Sequence, residues 1–322
     1  MAYTAGDTIL DDEYNTFVAS STSPFGYNHF AGTGATVYGL GQSAIDTVSA
    51  GGTINASQWN ALFTGMDNIA NHTNDTMTSR SSVSGGDAIE IANAVATDLA
   101  TLAASVAAGS PNATALTTSS ALQTVTTGSE GWDSTATQEV SVTFANANNM
   151  RFFFNGGGKV RITVGTSQAA TSNKDQAFID LGTALGNLDI ASLATTRSGS
   201  GETLTTNNLA RGFQDLTTSY QNIIKLTSDN SNYTGNNIEI FAKTTGGDGN
   251  SGNATVLTIK MVATDGAGDT QFTSGNLNSV AVAAKDTPKM VTTLFTLTPN
   301  TDQGLGTAYG ISSSASVSNT TS

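Results

Sequence analysis

The sequence predicts an α+β protein: an N-terminal extended arm with helices, followed by an antiparallel, β-sandwich-like domain carrying one or two helices. Three observations predict it. Apolar residues recur at helical spacing in the stretches before residue 110. Short runs of alternating β-branched and aromatic residues, bounded by Gly, Asn or Asp, fill the chain after residue 137. Charge divides the chain in the same place: residues 1–150 hold 13 Asp and Glu against Arg80 alone, whereas residues 151–322 hold 12 against 11 Lys and Arg.

The first segment, 1–56, reads as a short helix and an arm. Asp11, Asp12 and Glu13 favour a first helical turn, and Tyr14, Phe17 and Val18 make an apolar stripe. Pro24 and the glycines from Gly32 to Gly41 end regular structure. The arm then holds Phe25, Tyr27, Phe30 and Tyr38, rings that need cover from their own domain or from a neighbouring subunit. A helical segment follows over 57–109. Its first helix runs from Ser57, a candidate N-cap, to His72, with Trp59, Leu62, Phe63, Met66 and Ile69 on one face. Its second opens at Asp87 and Glu90 in capping-box spacing and carries Ile91, Val95, Leu99, Leu102 and Val106 at intervals of 4, 4, 3 and 4. That stripe suits either a helix pair within one chain or a subunit seam.

Residues 110–136, rich in Ser, Thr and Ala without a period, read as a linker. The β-rich domain is expected over 137–310. Its strands are VSVTFA (140–145), RITV (161–164), SYQNIIKLTS, NIEIFAKT, TVLTIKMVAT, SVAVAAK and MVTTLFTLTP, with a helical turn over 146–155 and a helix from about Asn173 to Leu188. The Ser-rich end, 311–322, is expected to be a flexible tail.

Composition argues against most chemistry. Charged residues are 11% of the chain, against about 25% in a typical globular domain. Catalysis at neutral pH needs several titratable groups held together. His29 and His72 have no metal-ligand spacing, and Cys is absent, so no cofactor or metal is expected. A net charge of −13 speaks against nucleic acid. No apolar run approaches a membrane span, and the first residues show no secretion signal. The run from Asn155 to Lys159 lacks phosphate-loop spacing, because Val160 follows Lys159. It reads as a tight turn that presents Arg151, Lys159 and Arg161 around Phe152, Phe153 and Phe154. Those cations are placed to meet the acidic N-terminal half of the same or another subunit. The loops GGDGNSGN (246–253) and DGAGDT (265–270) resemble calcium loops loosely, and plain hairpin turns account for them.

Three stretches taken together, DDEYNTFV, INASQWNALFTGMDNIANH and NNMRFFFNGGGKVRITV with the KDQAFIDLGTALG helix, resemble virion structural proteins of tailed bacteriophages, especially contractile-tailed phages of marine cyanobacteria. The resemblance implies a place in the particle, in tail, neck or fibre, with Gly158 and Lys159 at the turn positions. It transfers no catalytic residue, and it leaves out the alanine-rich helix at 87–108.

The expected function is therefore a non-enzymatic virion component, made in the host cytoplasm, that works by homo-oligomerisation (a trimer being one candidate state) and by contact with other virion proteins. Trp59, Phe63 and Met66 would anchor the N-terminal packing or a subunit contact, and Phe152 to Phe154 the C-terminal core. Arg151, Lys159 and Arg161 would supply contacts. A fibre tip binding host-surface glycan is the alternative, and a polysaccharide-degrading tail enzyme ranks third.

Overall fold

The structure, a computed structural model, describes residues 11–21, 24–30, 43–73, 75–87, 92–107, 116–127, 132, 134–167, 169–170, 173–230, 233–249, 253–266, 270–271, 280–281, 289–299 and 310–320. Among these residues are five α-helices and two antiparallel six-stranded sheets, an α+β fold with sandwich-like sheets and a helical N-terminal region.

The N-terminal region consists of α1 (Asp11–Val18), α2 (Ala56–Thr73) and α3 (Ala92–Ala107), with a single 3-10 turn at Tyr27–His29. Its core is separate from that of the sheets. Trp59 sits at its centre, edge-on to Tyr14 at 5.4 Å and tilted against Phe17 at 6.2 Å and Phe63 at 5.7 Å. The helix α2 starts two residues earlier than the Ser57 cap predicts. The Gln58 side chain reaches back to accept the Asn55 N–H at 2.9 Å, half of a capping box centred on Asn55. On α3, Val95, Leu99, Leu102 and Val106 are buried in this same core, so the stripe seals helices of one chain; Ile91 and Glu90 lie outside the described residues.

The β region begins well before residue 137. The stretch read as a linker contains β1 (Leu116–Thr118) and β2 (Gln123–Thr126), and Trp132 within it is fully buried. Both strands pair antiparallel with the same edge of β13 (Met290–Pro299). Strands of three or four residues are too short to show a period of two, which is why composition read as a linker. The first sheet continues through β4 (Lys159–Thr166), β5 (Leu188–Ile190) and β6 (Thr195–Arg197). The second runs β14-β3-β10-β9-β8-β7, from β3 (Thr135–Thr143) and the meander β7 (Thr203–Asn207), β8 (Gln221–Thr227), β9 (Asn237–Thr245) and β10 (Val256–Thr264). Its far edge, β14 (Ser312–Thr320), corrects the expected flexible tail: it pairs with β3 over nine residues, from Ser312↔Thr143 to Thr320↔Thr135. A two-residue ladder joins β11 (Thr270–Gln271) and β12 (Val280–Ala281).

Alternation places Ala136, Val140 and Val142 of β3, Val160 and Ile162 of β4, and Leu257, Ile259 and Met261 of β10 in one interior. One polar side chain spans it. Gln138, fully buried on β3, donates to Met290 C=O at 2.7 Å and Val125 C=O at 3.3 Å, and accepts from the Thr292 hydroxyl at 2.6 Å. The helices α4 (Ala147–Asn155) and α5 (Asn173–Leu185) complete the core, with Phe153, Phe154, Phe178 and Leu181 fully buried.

Candidate functional site

The Arg151 to Arg161 turn, singled out by sequence, is built as follows. Asn146 caps α4, its side-chain oxygen accepting from Asn149 N–H at 2.9 Å. The helix stops at Gly156 and Gly157. Gly157 has φ +86°, a left-handed position that glycine takes without strain, and its N–H donates to Phe154 C=O at 2.9 Å. The chain reverses straight into β4. The reversal drives the three phenylalanines inward: Phe154 stacks on Phe213 at 4.2 Å and 8°, and Phe153 meets Phe154 edge-on at 5.1 Å. These rings are core.

The three cations of this turn are placed differently from one another. Arg161, on β4, forms a two-pronged pair with Asp189 of β5, at 2.6 and 2.8 Å, and those hydrogen bonds hold its guanidinium above its ordinary value. Its acid therefore comes from the neighbouring strand of the same sheet, in direct register (Arg161↔Asp189), and not from the N-terminal half. Arg151 is buried beside the Asn148 side chain, its guanidinium 6.0 Å from the Phe152 ring, and desolvation lowers its pKa. Lys159 opens β4 half-buried. The turn is thus a folding device of the sandwich.

The acidic half uses its one cation internally. Arg80 pairs with Asp98 of α3, the two side chains being 2% and 8% exposed, and its guanidinium lies 5.5 Å from the Phe63 ring. Asp98 also accepts the Thr78 N–H at 3.1 Å. Among the described residues this leaves the outside of the helical region with carboxylates and no Lys or Arg, since Arg80 is the only cation before residue 151.

Sequence reasoning misses what organises that region: three asparagines hold extended backbone. Asn15 of α1 accepts Val48 N–H at 2.7 Å and donates to Val48 C=O at 2.8 Å. Asn28 does the same for Ile45, at 2.8 Å in both directions. Asn60 of α2 does so for Val83, at 2.9 Å in both directions. Each amide stands in for one residue of a neighbouring strand. Phe25, Tyr27 and Phe30 pack on the chain's own helices, Tyr27 against Gly65, where a Cβ would lie 2.5 Å from the ring; Tyr38 lies outside the described residues. The only forewarning in the sequence is an Asn beside apolar helix positions in α1 and α2, and Asn28 of the arm has not even that.

The outer face of the second sheet carries a smaller cluster. Lys243 and Lys260 sit 4.3 and 4.0 Å from the Tyr220 ring centre, and Lys260 also lies 4.8 Å from that of Phe241. Burial, with Glu139 alongside, pushes the Tyr220 phenol up. Lys225 pairs with Glu239 at 3.5 Å. The loops compared with calcium sites are likewise engaged: Asp248 accepts Thr218 N–H at 3.2 Å, and Asp265 pairs with Lys174. His29 contacts Ser20 C=O through Nδ1 at 3.3 Å and packs edge-on to Phe25, while the His72 side chain lies outside the described residues. Among the described residues no group of three His, Cys, Asp or Glu side chains is arranged to hold a metal, and no helix is long and apolar enough to cross a membrane. The arrangement does structural work: ion pairs, caps and backbone clamps.

No protein-family model, no curated protein and no solved structure matches the chain.

Proposed function

We propose that this chain is a non-enzymatic structural component of a tailed-phage particle, in tail, neck or fibre, that works by assembling with copies of itself and with other virion proteins. The place in the particle rests on the resemblance carried by the DDEYNTFV, QWNALF and RFFFNGGGKVRI motifs. The assembly part rests on one observation, the edge strand β14. Its nine residues, SSSASVSNT, contain no Lys, no Pro and no charge, and its pairing with β3 runs without a bulge. Val317 on it is 39% exposed. Natural sheets blunt an edge of this length unless something covers it. Among the described residues β14 pairs with β3 alone.

The anionic helical region fits the same reading, since it repels other copies of itself and leaves the uncharged edge as the self-compatible surface. The test is electron microscopy of purified particles labelled with antibody against this chain. Label at one repeated position on the particle is expected. Particles that contain the chain at no position overturn the reading.

A further inference from the structure

We propose that Lys174 and Asp265 condense into an intramolecular amide cross-link that ties the start of α5 to the end of β10. The two side chains are 1% and 4% exposed and are in direct contact as an ion pair. Among the described residues they form the sole buried pair of a lysine with a carboxylate. Lys225 and Glu239 stand 3.5 Å apart at 32% and 22% exposure, and the buried Arg80–Asp98 pair has no nucleophilic nitrogen.

The reacting groups are held from both sides. Asp265 N–H donates to Ser134 C=O at 2.9 Å, and Gly266 N–H donates to the Asn236 side chain at 3.1 Å, so the backbone bearing the carboxyl is fixed. Lys174 leaves the first turn of a thirteen-residue helix. Phe178, one turn further along, and Trp132, two residues before Ser134, pack edge-on at 5.2 Å, and both are fully buried. The pair's own exposures of 1% and 4% leave the corner closed to bulk water.

The chemistry balances without a co-reactant. Burial disfavours the two separated charges, so the ammonium proton passes to the carboxylate, leaving a neutral amine beside a neutral carboxylic acid. The Nζ lone pair attacks Cγ, and the resulting tetrahedral carbon expels its hydroxyl. The second Nζ proton goes with the hydroxyl, and water leaves as the C–N bond becomes an amide. In dilute solution hydrolysis wins over such a step. Groups held in attack geometry react with effective concentrations on the order of 10⁵–10⁸ M, and a dry site removes the competing water. The chain has no Cys, so it has no disulfide to close a long loop in the unfolded state. An amide between positions 174 and 265 would do that.

The test is intact mass measurement of the full chain under denaturing conditions, followed by peptide mapping. The expected result is a mass short by one water, with a branched peptide joining Lys174 to Asp265, and full mass restored in Lys174→Arg. Wild-type protein at the full sequence mass, freshly made and after storage, overturns the proposal. So does a missing water confined to a linear peptide, as a succinimide at Asp265-Gly266 would give; that loss would persist in Lys174→Arg.

Discussion

Replacing Gln138 with Leu tests what joins the two sheets. The substitution removes three hydrogen bonds, to Met290 C=O, Val125 C=O and the Thr292 hydroxyl. Each contributes about 1 kcal/mol net, and a polar group stranded in the interior costs about 1–3 kcal/mol. Not every partner is stranded: Met290 C=O keeps the Thr127 N–H at 3.0 Å. The Thr292 hydroxyl, on a residue 1% exposed, loses its acceptor. Gln138→Leu should therefore destabilise the sandwich by about 2–4 kcal/mol. That is a large part of the 5–15 kcal/mol typical of a domain. Adding Thr292→Val removes the stranded hydroxyl and should return about 1–2 kcal/mol, so the pair is strongly non-additive. The chain has two tryptophans, Trp59 in the helical core and Trp132 in the sandwich, so urea unfolding followed by fluorescence in a Trp59→Phe background reports the sandwich alone. A cost below about 0.5 kcal/mol for Gln138→Leu, or strict additivity with Thr292→Val, would refute the reasoning.

Two further outcomes concern the helical region. Asn60→Ala removes both bonds to Val83 and should cost about 1–3 kcal/mol. It should also speed hydrogen exchange at the Val83 amide, and unchanged exchange there would contradict the clamp. Burial pushes the phenols of Tyr14, helped by Asp46, and Tyr27 up to about 12 from an ordinary 10.0. The folded state thus holds these protons more tightly than the unfolded chain does. Its contribution to stability is complete below pH 10 and is lost as pH rises toward 12. The melting temperature read at Trp59 should fall over that window, and a flat profile through it would contradict the burial of the two rings.

How much was legible depended on the range of the interactions. Strands β9, β10 and β13 each run nine or ten residues with inward positions alternating, so their existence and class could be read directly. Helix α5 is equally plain from Phe178, Leu181 and Leu185, but it ends at Leu185, and Leu188, expected at its end, opens β5. The short strands β1, β2, β5 and β6 take their pairing from β13 and β4, which lie far off in sequence, and carry too few residues for a period. The tail carries no local strand signal because serine is a poor strand former; its pairing with β3 is long-range, and Ser313 also donates to Leu122 C=O, just before β2, at 2.9 Å. Trp59, Phe63 and Met66 are buried on α2, and large apolar side chains at helical spacing are a local pattern that the sequence displays directly. The partners of Asn15, Asn28, Asn60 and Arg161 were not, because backbone 17 to 33 residues away, or an acid across a sheet, leaves no local mark.

The most direct measurement of whether the protein works by assembly is sedimentation of the full chain beside its Val317→Lys variant. Val317 is 39% exposed at the edge but shares the face of Gln138, so the variant's fold is checked by circular dichroism; a charge there should shift the wild-type oligomer toward the 32.7 kDa monomer. A wild-type chain that sediments as a monomer at every concentration, or an oligomer untouched by the lysine, would contradict the account.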